Sequence, residues 1–233
     1  MPNDASAVPT DASHPRMALP RNGPSLYEQV YASLLDAICG GALRPGDRIN
    51  QDELAARLEV SRQPVTQALT VLKTQDFVQD AGRRGLVVAP LDKGFFAALY
   101  QLREALDPMA ARLAARRSAS LSAPAGRRLL AQGLAALEAG SVATLTRADM
   151  AFHMWIYEAA ANPLLTDMLR LYWHHLRRAM LVVVGPAHDR GLVWEQHAAI
   201  LEAVLDGNDS LAEKLSLQHI QGAAERVMQT FPE

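Results

Sequence analysis

The sequence is poor in cysteine and in long apolar runs, and each shortage excludes a class of protein. Its one cysteine, Cys39, cannot form a disulfide within the chain, which fits a reducing compartment. No uninterrupted apolar run approaches the roughly 20 residues that a transmembrane helix needs. Residues 1–24 are rich in proline and lack the apolar core of a signal peptide. We therefore expect a soluble, cytoplasmic protein that does not bind membranes, with 1–24 as a disordered tail.

An excess of positive charge is also lacking. The formal net charge is -2, so DNA binding through overall basicity is excluded and would need a local patch. The hydrophobic fraction of 49% and the charged fraction of 21% fit a folded chain with a sizeable core. The length of 233 residues leaves room for one large or two modest domains.

Residues 25–90 have the pattern of three helices and a hairpin. Apolar side chains at spacings of three and four predict a first helix; they are Leu26, Val30, Leu34, Leu35 and Ile38. A short extended piece at 43–49 precedes a second helix that starts near Gln51. Ser61 is a suitable N-cap for a third helix, with Pro64 in its first turn. Two apolar pieces, 77–78 and 86–88, flank a basic, glycine-containing tip and predict a β-hairpin.

The third helix places DNA-compatible side chains on its outer face. If Val65, Leu69 and Leu72 point inward, the outward residues are Arg62, Gln63, Thr66, Gln67 and Thr70. Arginine, glutamine and threonine suit the edges and phosphates of a major groove. Arg83 and Arg84 at the hairpin tip could contact phosphates or a minor groove. From the pattern alone, a small helical domain with a solvated polar helix remains the alternative.

A run of residues at matching spacings decides between these two interpretations, because it resembles a known family. Residues 51–69, with Leu54-Ala55, Leu58, Val60-Ser61-Arg62 and Pro64-Val65, resemble the DNA-binding signature of GntR-family regulators. The preceding Leu43-x-Pro45-Gly46-Asp47 and the hairpin also match. The resemblance implies a winged helix-turn-helix with 61–69 in the recognition helix. The family often has an arginine where this chain has Thr66 and a basic or polar residue where it has Asp52, so the resemblance implies a different operator and a more modest affinity.

The rest of the chain shows only helical periods. After a linker at 91–94, helices are predicted at 95–118, 122–138, 141–161, 164–184, 191–205 and 210–229. Short loops between six helices indicate an antiparallel bundle over 95–233. The predicted fold is therefore mainly α, a winged helix-turn-helix of three helices and a β-hairpin wing followed by an all-α bundle.

Four polar side chains on apolar helices are candidates for a metal site. Asp149 and His153 lie one helical turn apart, and His197 and His219 lie among apolar residues of two later helices. One carboxylate and three imidazoles suit a divalent ion such as Zn²⁺, Ni²⁺ or Mn²⁺. Taken singly, each histidine could equally be a hydrogen-bonded core residue.

The helical half resembles the FCD effector domain of the FadR subfamily. The resemblance rests on Leu102-Arg103-x-Ala105-Leu106, Asp149-x-x-Phe152-His153, His197-x-x-Ile200-Leu201 and His219-Ile220. It implies that Asp149, His153, His197 and His219 bind a divalent metal at the floor of a cavity that takes a small carboxylate effector. Arg103 is our candidate for the second anchor of that carboxylate. The alternative for Arg103 is a salt bridge at the surface.

These observations and resemblances lead to one main hypothesis and two rivals. The main hypothesis is a homodimeric transcription regulator, most often a repressor in this family, that binds an operator and has no enzymatic activity. One rival is a metal-dependent hydrolase in which the Asp/His3 site activates water, with Glu195 as the nearest acid. The other rival is a purely structural metal without an effector.

Overall fold

The computed structural model describes residues 23–183 and 190–231. Residues 1–22 of the predicted tail (1–24), residues 184–189, which include His188, and the side chain of Arg84 lie outside the described part. No helix within these ranges is long and apolar enough to cross a bilayer.

The N-terminal unit is a winged helix-turn-helix, as the sequence predicts. It contains α1 (Leu26–Cys39), α2 (Gln51–Arg57), α3 (Arg62–Thr74), β1 (Val78–Asp80) and β2 (Leu86–Val88). Ser25 begins α1 with a reciprocal capping box to Glu28. Ser61 stands at the N-cap of α3 as predicted, although its hydroxyl makes no capping hydrogen bond.

The core of this unit forms where the apolar stripes of α1 and α3 meet. Val30, Leu34, Val65, Leu69 and Leu72 are all buried there. Leu26 is 51% exposed, so the predicted inward stripe begins one turn later, at Val30. The reason is position, because Leu26 is the first residue of α1 and extends beyond the packed part of the helix.

The wing is an antiparallel hairpin with Val78 opposite Val88 and Asp80 opposite Leu86. A 3-10 turn over Gly82–Arg84 joins its strands. The predicted extended piece pairs with the other edge of β2, since Ile49 donates to the Leu86 carbonyl and Val88 to the Asp47 carbonyl. These bonds fix the wing against the body of the domain.

In its described part, the C-terminal unit contains six α-helices. They are α4 (Lys93–Ala115), α5 (Ala123–Glu138), α6 (Val142–Ala159), α7 (Pro163–Val183), α8 (Arg190–Leu205) and α9 (Asp209–Met228). The helix α7 starts at Pro163, one residue before the predicted start, because proline fits the first position of a helix. A single core holds Phe152, Trp173, Leu201 and Ile220, and α4 packs along α9.

A close helix approach holds α8 in place. A Cβ atom at Gly133 of α5 would lie 1.9 Å from the ring of Trp194 on α8, so only glycine lets the indole sit there. Trp194 is buried and its ring contacts that of His197, with centroids 4.8 Å apart. The missing side chain at Gly133 therefore helps to position a candidate metal ligand.

Candidate DNA-binding surface and buried histidine centre

The predicted recognition helix presents its polar face to solvent. Arg62, Gln63, Thr66, Gln67 and Thr70 are all exposed, whereas Val65, Ala68 and Leu69 between them are buried. Two of the exposed side chains are tied to α2. The Arg62 guanidinium lies 2.9 Å from the Asp52 carboxylate, and the Thr66 hydroxyl donates to Gln51 at 2.9 Å. The face that would enter a groove is thus exposed to solvent, but the positive charge of Arg62 is partly neutralised by Asp52.

The wing carries a second exposed cation. Arg83 lies in the turn at the tip of the hairpin and is exposed. Lys73 near the end of α3 forms an ion pair with Asp80 of β1, which fastens the wing to the recognition helix. Recognition helix and wing tip therefore belong to one rigid unit.

Three of the four candidate metal ligands converge inside the helical unit. His153 on α6, His197 on α8 and His219 on α9 are buried, and a ligand atom of each lies within 4.8 Å of the others. The Nε2 atoms of His197 and His219 are 3.3 Å apart, and Asp149 Oδ1 lies 3.5 Å from His197 Nε2. The sequence separates these residues by up to 70 positions, and helix packing brings them together.

Hydrogen bonds leave a lone pair facing the centre. His219 Nδ1 lies 2.9 Å from Gln196 Oε1. Because a carbonyl oxygen only accepts, Nδ1 carries the proton and the lone pair is on Nε2. His197 Nδ1 is buried and has no hydrogen-bond partner among the described residues. His153 Nδ1 lies 3.8 Å from Asp107 Oδ2. An amide oxygen thus accepts a hydrogen bond from His219 and a carboxylate oxygen lies behind His153; oxygen acceptors of these kinds commonly lie behind the histidines of metal sites.

Burial keeps the histidines neutral. Desolvation lowers the pKa of His153 and His197 well below 6.5 and that of His219 to about 3. Burial also raises the pKa of Asp149 to about 7, although Arg103 and Arg226 act to lower it. Neutral imidazoles and one carboxylate that titrates near neutrality form a donor set suited to a cation.

A cavity of about 100 Å³ opens beside this centre. Its wall includes Asp149, His153 and His219 together with Arg103 and Arg226. Tyr100, Trp173, Leu176 and Met180 make much of the remaining wall apolar. The cavity could accept a small molecule with an anionic group and an apolar body.

Arg103 is buried, so the alternative of a surface salt bridge does not apply. Its Nη2 lies 2.7 Å and its Nε 3.2 Å from Asp107 Oδ2. The guanidinium also lies over Trp173, 5.0 Å from the ring centroid. Arg103 therefore lines the cavity as a guanidinium that forms an ion pair with Asp107.

Sequence reasoning missed three polar residues around the centre. Gln196 precedes His197, Asp107 lies one turn after Arg103, and Arg226 lies two turns after His219 on the same helix face. The i, i+4 and i, i+7 spacings from the candidate residues were the available signals. Glu195, the acid named for a hydrolytic rival, is exposed and is absent from the cavity wall.

Several other basic residues of the helical unit lie away from this cavity. Arg170 is exposed near Glu158, and Arg147 lines a surface groove between α5 and α6. Four α7 residues face the winged domain instead: His174, His175, Arg177 and Arg178. The Arg177 guanidinium lies 2.6 Å from Asp36 of α1, and His175 Nε2 lies 3.0 Å from the Gln75 carbonyl.

Helix α7 thus contacts the central cavity on one side and the winged domain on another. Trp173, Leu176 and Met180 line the central cavity. Arg177 and the neighbouring polar residues contact the DNA-binding domain. A displacement of α7 at the cavity would move contacts to the winged domain.

Comparison with protein-family models gives two matches that divide the chain. Residues 26–88 match the model described as bacterial regulatory proteins, gntR family. Residues 98–222 match the FCD domain. Together they span the winged unit and most of the helical unit.

Curated relatives and solved structures agree with these matches. The chain is 30% identical over 188 residues to the Nta operon transcriptional regulator of Aminobacter aminovorans, covering 80% of this chain and 87% of the relative. It is 25% identical to the HTH-type transcriptional regulator LutR of Bacillus subtilis, covering 84% and 98%. The solved structure of E. coli McbR/YncC has a TM-score of 0.79 at 22% identity, covering 90% of this chain and 100% of the other. That last likeness concerns the fold.

Proposed function

Because the chain belongs to the GntR family of bacterial transcription regulators and carries an FCD domain, we propose that it is an effector-controlled repressor. It binds operator DNA through α3 and the wing. A small carboxylate, held at a metal centre in the helical domain, changes its affinity for the operator. The observation that carries this proposal is the convergence of three buried histidines, with Asp149 3.5 Å from His197, beside a cavity lined by two arginines.

The DNA-binding half rests on the exposed face of α3. Arg62 and the glutamines provide donors for base edges, the threonine hydroxyls can reach phosphates, and the threonine methyl groups can contact a thymine methyl. A homodimer would set two recognition helices on successive major-groove half-sites of a near-palindrome. Arg83 at the wing would add a contact to the backbone or minor groove.

The experiment for this half is operator binding by full-length protein, on a sequence selected from random duplexes and read by fluorescence anisotropy. Arg62→Ala should weaken specific binding by at least tenfold, since a bidentate base contact contributes about 1–3 kcal/mol. Arg128→Ala removes the same charge at an exposed position on α5, far from α3, and should have little effect on operator affinity. Equal affinities for the two variants would refute the recognition-helix assignment.

The metal half rests on how well the donor set fits an ion. Tetrahedral Zn²⁺ with nitrogens at about 2.0–2.1 Å separates neighbouring ligands by about 3.3–3.4 Å. The separations at His197 Nε2, 3.3 Å to His219 and 3.5 Å to Asp149, are close to that value. Asp149, His153, His197 and His219 would hold the ion, which could be Zn²⁺, Ni²⁺ or Mn²⁺. When bound, it supplies a Lewis-acid position for a carboxylate oxygen.

The chain's own residues would orient the effector. Arg226 and Arg103 provide guanidinium donors at the cavity wall. The aromatic rings of Tyr100 and Trp173 exclude water from the apolar part of the ligand. Since Leu176 and Met180 of α7 also line the cavity, the ligand would bias the position of α7 and hence that of the winged domain.

A thermal-shift screen against small carboxylates, with metal and after chelation, tests the effector half. A ligand at 100 times its dissociation constant should stabilise the protein by about 2.7 kcal/mol. A shift that is lost on chelation and in Arg226→Met supports the proposal. If chelation destabilises the protein but no carboxylate shifts its melting temperature, the metal has a structural role only. No response to chelation or ligands would refute the metal assignment and leave the DNA-binding half.

A further inference from the structure

A second cavity, of about 320 Å³, lies at the junction of the two domains. Its wall includes Asp76 and Gln79 of the winged domain, the linker over 89–92, Phe95 and Phe96 of α4, and His175 and Arg178 of α7. It shares no lining residue with the central cavity. Its volume is at the lower end of the range for small-molecule sites, about 300–1,000 Å³.

Arg178 is a buried cation that has no carboxylate partner among the residues that the structure describes. The residue is 5% exposed, and its guanidinium donates to the Ala89 carbonyl and lies over the Phe77 ring. No carboxylate of the described chain lies within 4.0 Å of its nitrogens. Burial accordingly lowers the pKa of Arg178. A buried charge that lacks an opposite charge is costly, and an anionic group in the cavity would remove that cost.

Two carboxylates line the same cavity. Asp76 is exposed, and its side chain makes no hydrogen bond or ion pair with other described residues. Asp92 is exposed too, and one of its oxygens accepts from the Phe95 amide at the start of α4. A simple anion would be attracted by Arg178 but repelled by both acids. A molecule with one carboxylate and one ammonium group offers a negative charge to Arg178 and a positive charge to the two acids.

The remaining wall includes three rings, those of Phe95, Phe96 and His175. The His175 ring stacks on Phe77 with centroids 4.1 Å apart and is tilted against Phe95 at 4.7 Å. Its Nε2 donates to the Gln75 carbonyl, so Nδ1 has a free lone pair. Burial lowers the pKa of His175 to about 4, which keeps the ring neutral. The wall therefore favours an apolar or aromatic side group over a third charge.

We propose that this domain-junction cavity binds a small zwitterion of the α-amino acid class. Its carboxylate lies against Arg178, its ammonium group faces Asp76 and Asp92, and its side chain packs on Phe95 and Phe96. The ligand touches both domains, so its binding is coupled to their relative position. This site is independent of the metal centre and of the carboxylate effector proposed above.

The test is isothermal titration of full-length protein with L-phenylalanine, 3-phenylpropionate and phenethylamine. The three probes share one ring, but the second lacks the ammonium group and the third lacks the carboxylate. L-Phenylalanine should bind saturably and at least tenfold more tightly than either analogue. Chelation should leave its affinity unchanged, which separates this site from the central cavity. Absence of L-phenylalanine binding, equal binding of an analogue, or loss on chelation would overturn the proposal.

Two variants locate the binding. Asp76 has a φ of 58°, a left-handed conformation that asparagine adopts readily, so Asp76→Asn should keep the fold. It should weaken L-phenylalanine binding at least fivefold. Asp80→Asn removes the same charge from a wing residue outside this cavity and should leave the affinity unchanged. Arg178→Met should abolish binding, and unchanged binding in both Asp76→Asn and Arg178→Met would overturn the assignment.

Discussion

The Nε2 atoms of His197 and His219 face each other at 3.3 Å, and both side chains are buried. Only one of these nitrogens can carry a proton at that distance, and the bond from His219 Nδ1 to Gln196 keeps the proton of His219 on the opposite side of its ring. The lone pair of His219 Nε2 therefore faces His197, where a cation could bind to both imidazoles.

Gln196 should determine metal affinity without being a ligand. Gln196→Leu removes the acceptor that fixes the tautomer of His219, and loss of such an outer partner typically lowers metal affinity 10–100-fold. Competition with a chromophoric chelator measures the change. Glu195→Leu, a neighbouring substitution at an exposed position, is the matched control and should bind metal normally. Equal affinities in both variants would show that Gln196 has no role in positioning.

Metal affinity should depend on pH through Asp149 rather than through histidine. Asp149, with a pKa of about 7 in the metal-free protein, is protonated below neutrality and must lose that proton on binding. The histidines stay neutral there because burial lowers their pKa. Affinity should rise about tenfold per pH unit up to pH 7 and then level off.

Asp149→Asn is the control for this pH profile. The variant should bind metal more weakly and lose the slope between pH 5 and 7, since the titrating carboxyl group is gone. A wild-type profile that levels off near pH 6.5 and persists in the variant would assign the competing protons to histidine instead.

Gly133→Ala should destabilise the helical domain. The added methyl group would lie 1.9 Å from the Trp194 ring, and overpacking of this kind costs about 1–3 kcal/mol. A fall of several degrees in the melting temperature is expected for a chain of this size. Gly191→Ala, also in a helix but with open space around its Cβ position, should be neutral or slightly stabilising. A larger loss in Gly191→Ala than in Gly133→Ala would contradict this packing account.

Removing the acid beside Arg62 should strengthen DNA binding. Arg62 and Asp52 form an exposed ion pair at 2.9 Å, so the guanidinium must leave Asp52 to reach a base. Asp52→Asn frees it and removes a negative charge near the phosphates. We expect a several-fold higher affinity in anisotropy titrations. Glu138→Gln makes the same charge change at an exposed position on distant α5 and should change little; an equal gain there would indicate a general charge effect.

Breaking the Arg177–Asp36 pair should weaken communication between the domains. The pair joins α7 to α1 at 2.6 Å and is partly exposed, so it contributes up to about 1 kcal/mol. In Arg177→Ala, effector and DNA should each still bind, but the change in DNA affinity caused by the effector should shrink by up to about fivefold. The double variant Arg177→Asp with Asp36→Arg should restore it. Full coupling in Arg177→Ala would exclude this contact from the signalling route.

Much of this architecture is determined by the sequence because its signals are local. The spacing of Val30, Leu34 and Ile38 is enough to predict α1, and Ser61 with Pro64 marks the start of α3. The polar face of α3 follows from the same periodicity. The resemblance to known regulators supplied the pairing of distant residues that periodicity cannot provide.

Only the tertiary structure decided which polar residues share a site. Periodicity places both Arg103 and Arg178 on amphipathic helices, and the FCD resemblance favoured Arg103 as the effector anchor. Packing places Arg103 beside Asp107 at the central cavity and Arg178 at the domain junction against the Ala89 carbonyl. Arg226 and Gln196 acquired their positions in the same way. The physical reason is that helical periodicity fixes the face on which a side chain lies, whereas burial, partners and pKa depend on the helix that packs against that face.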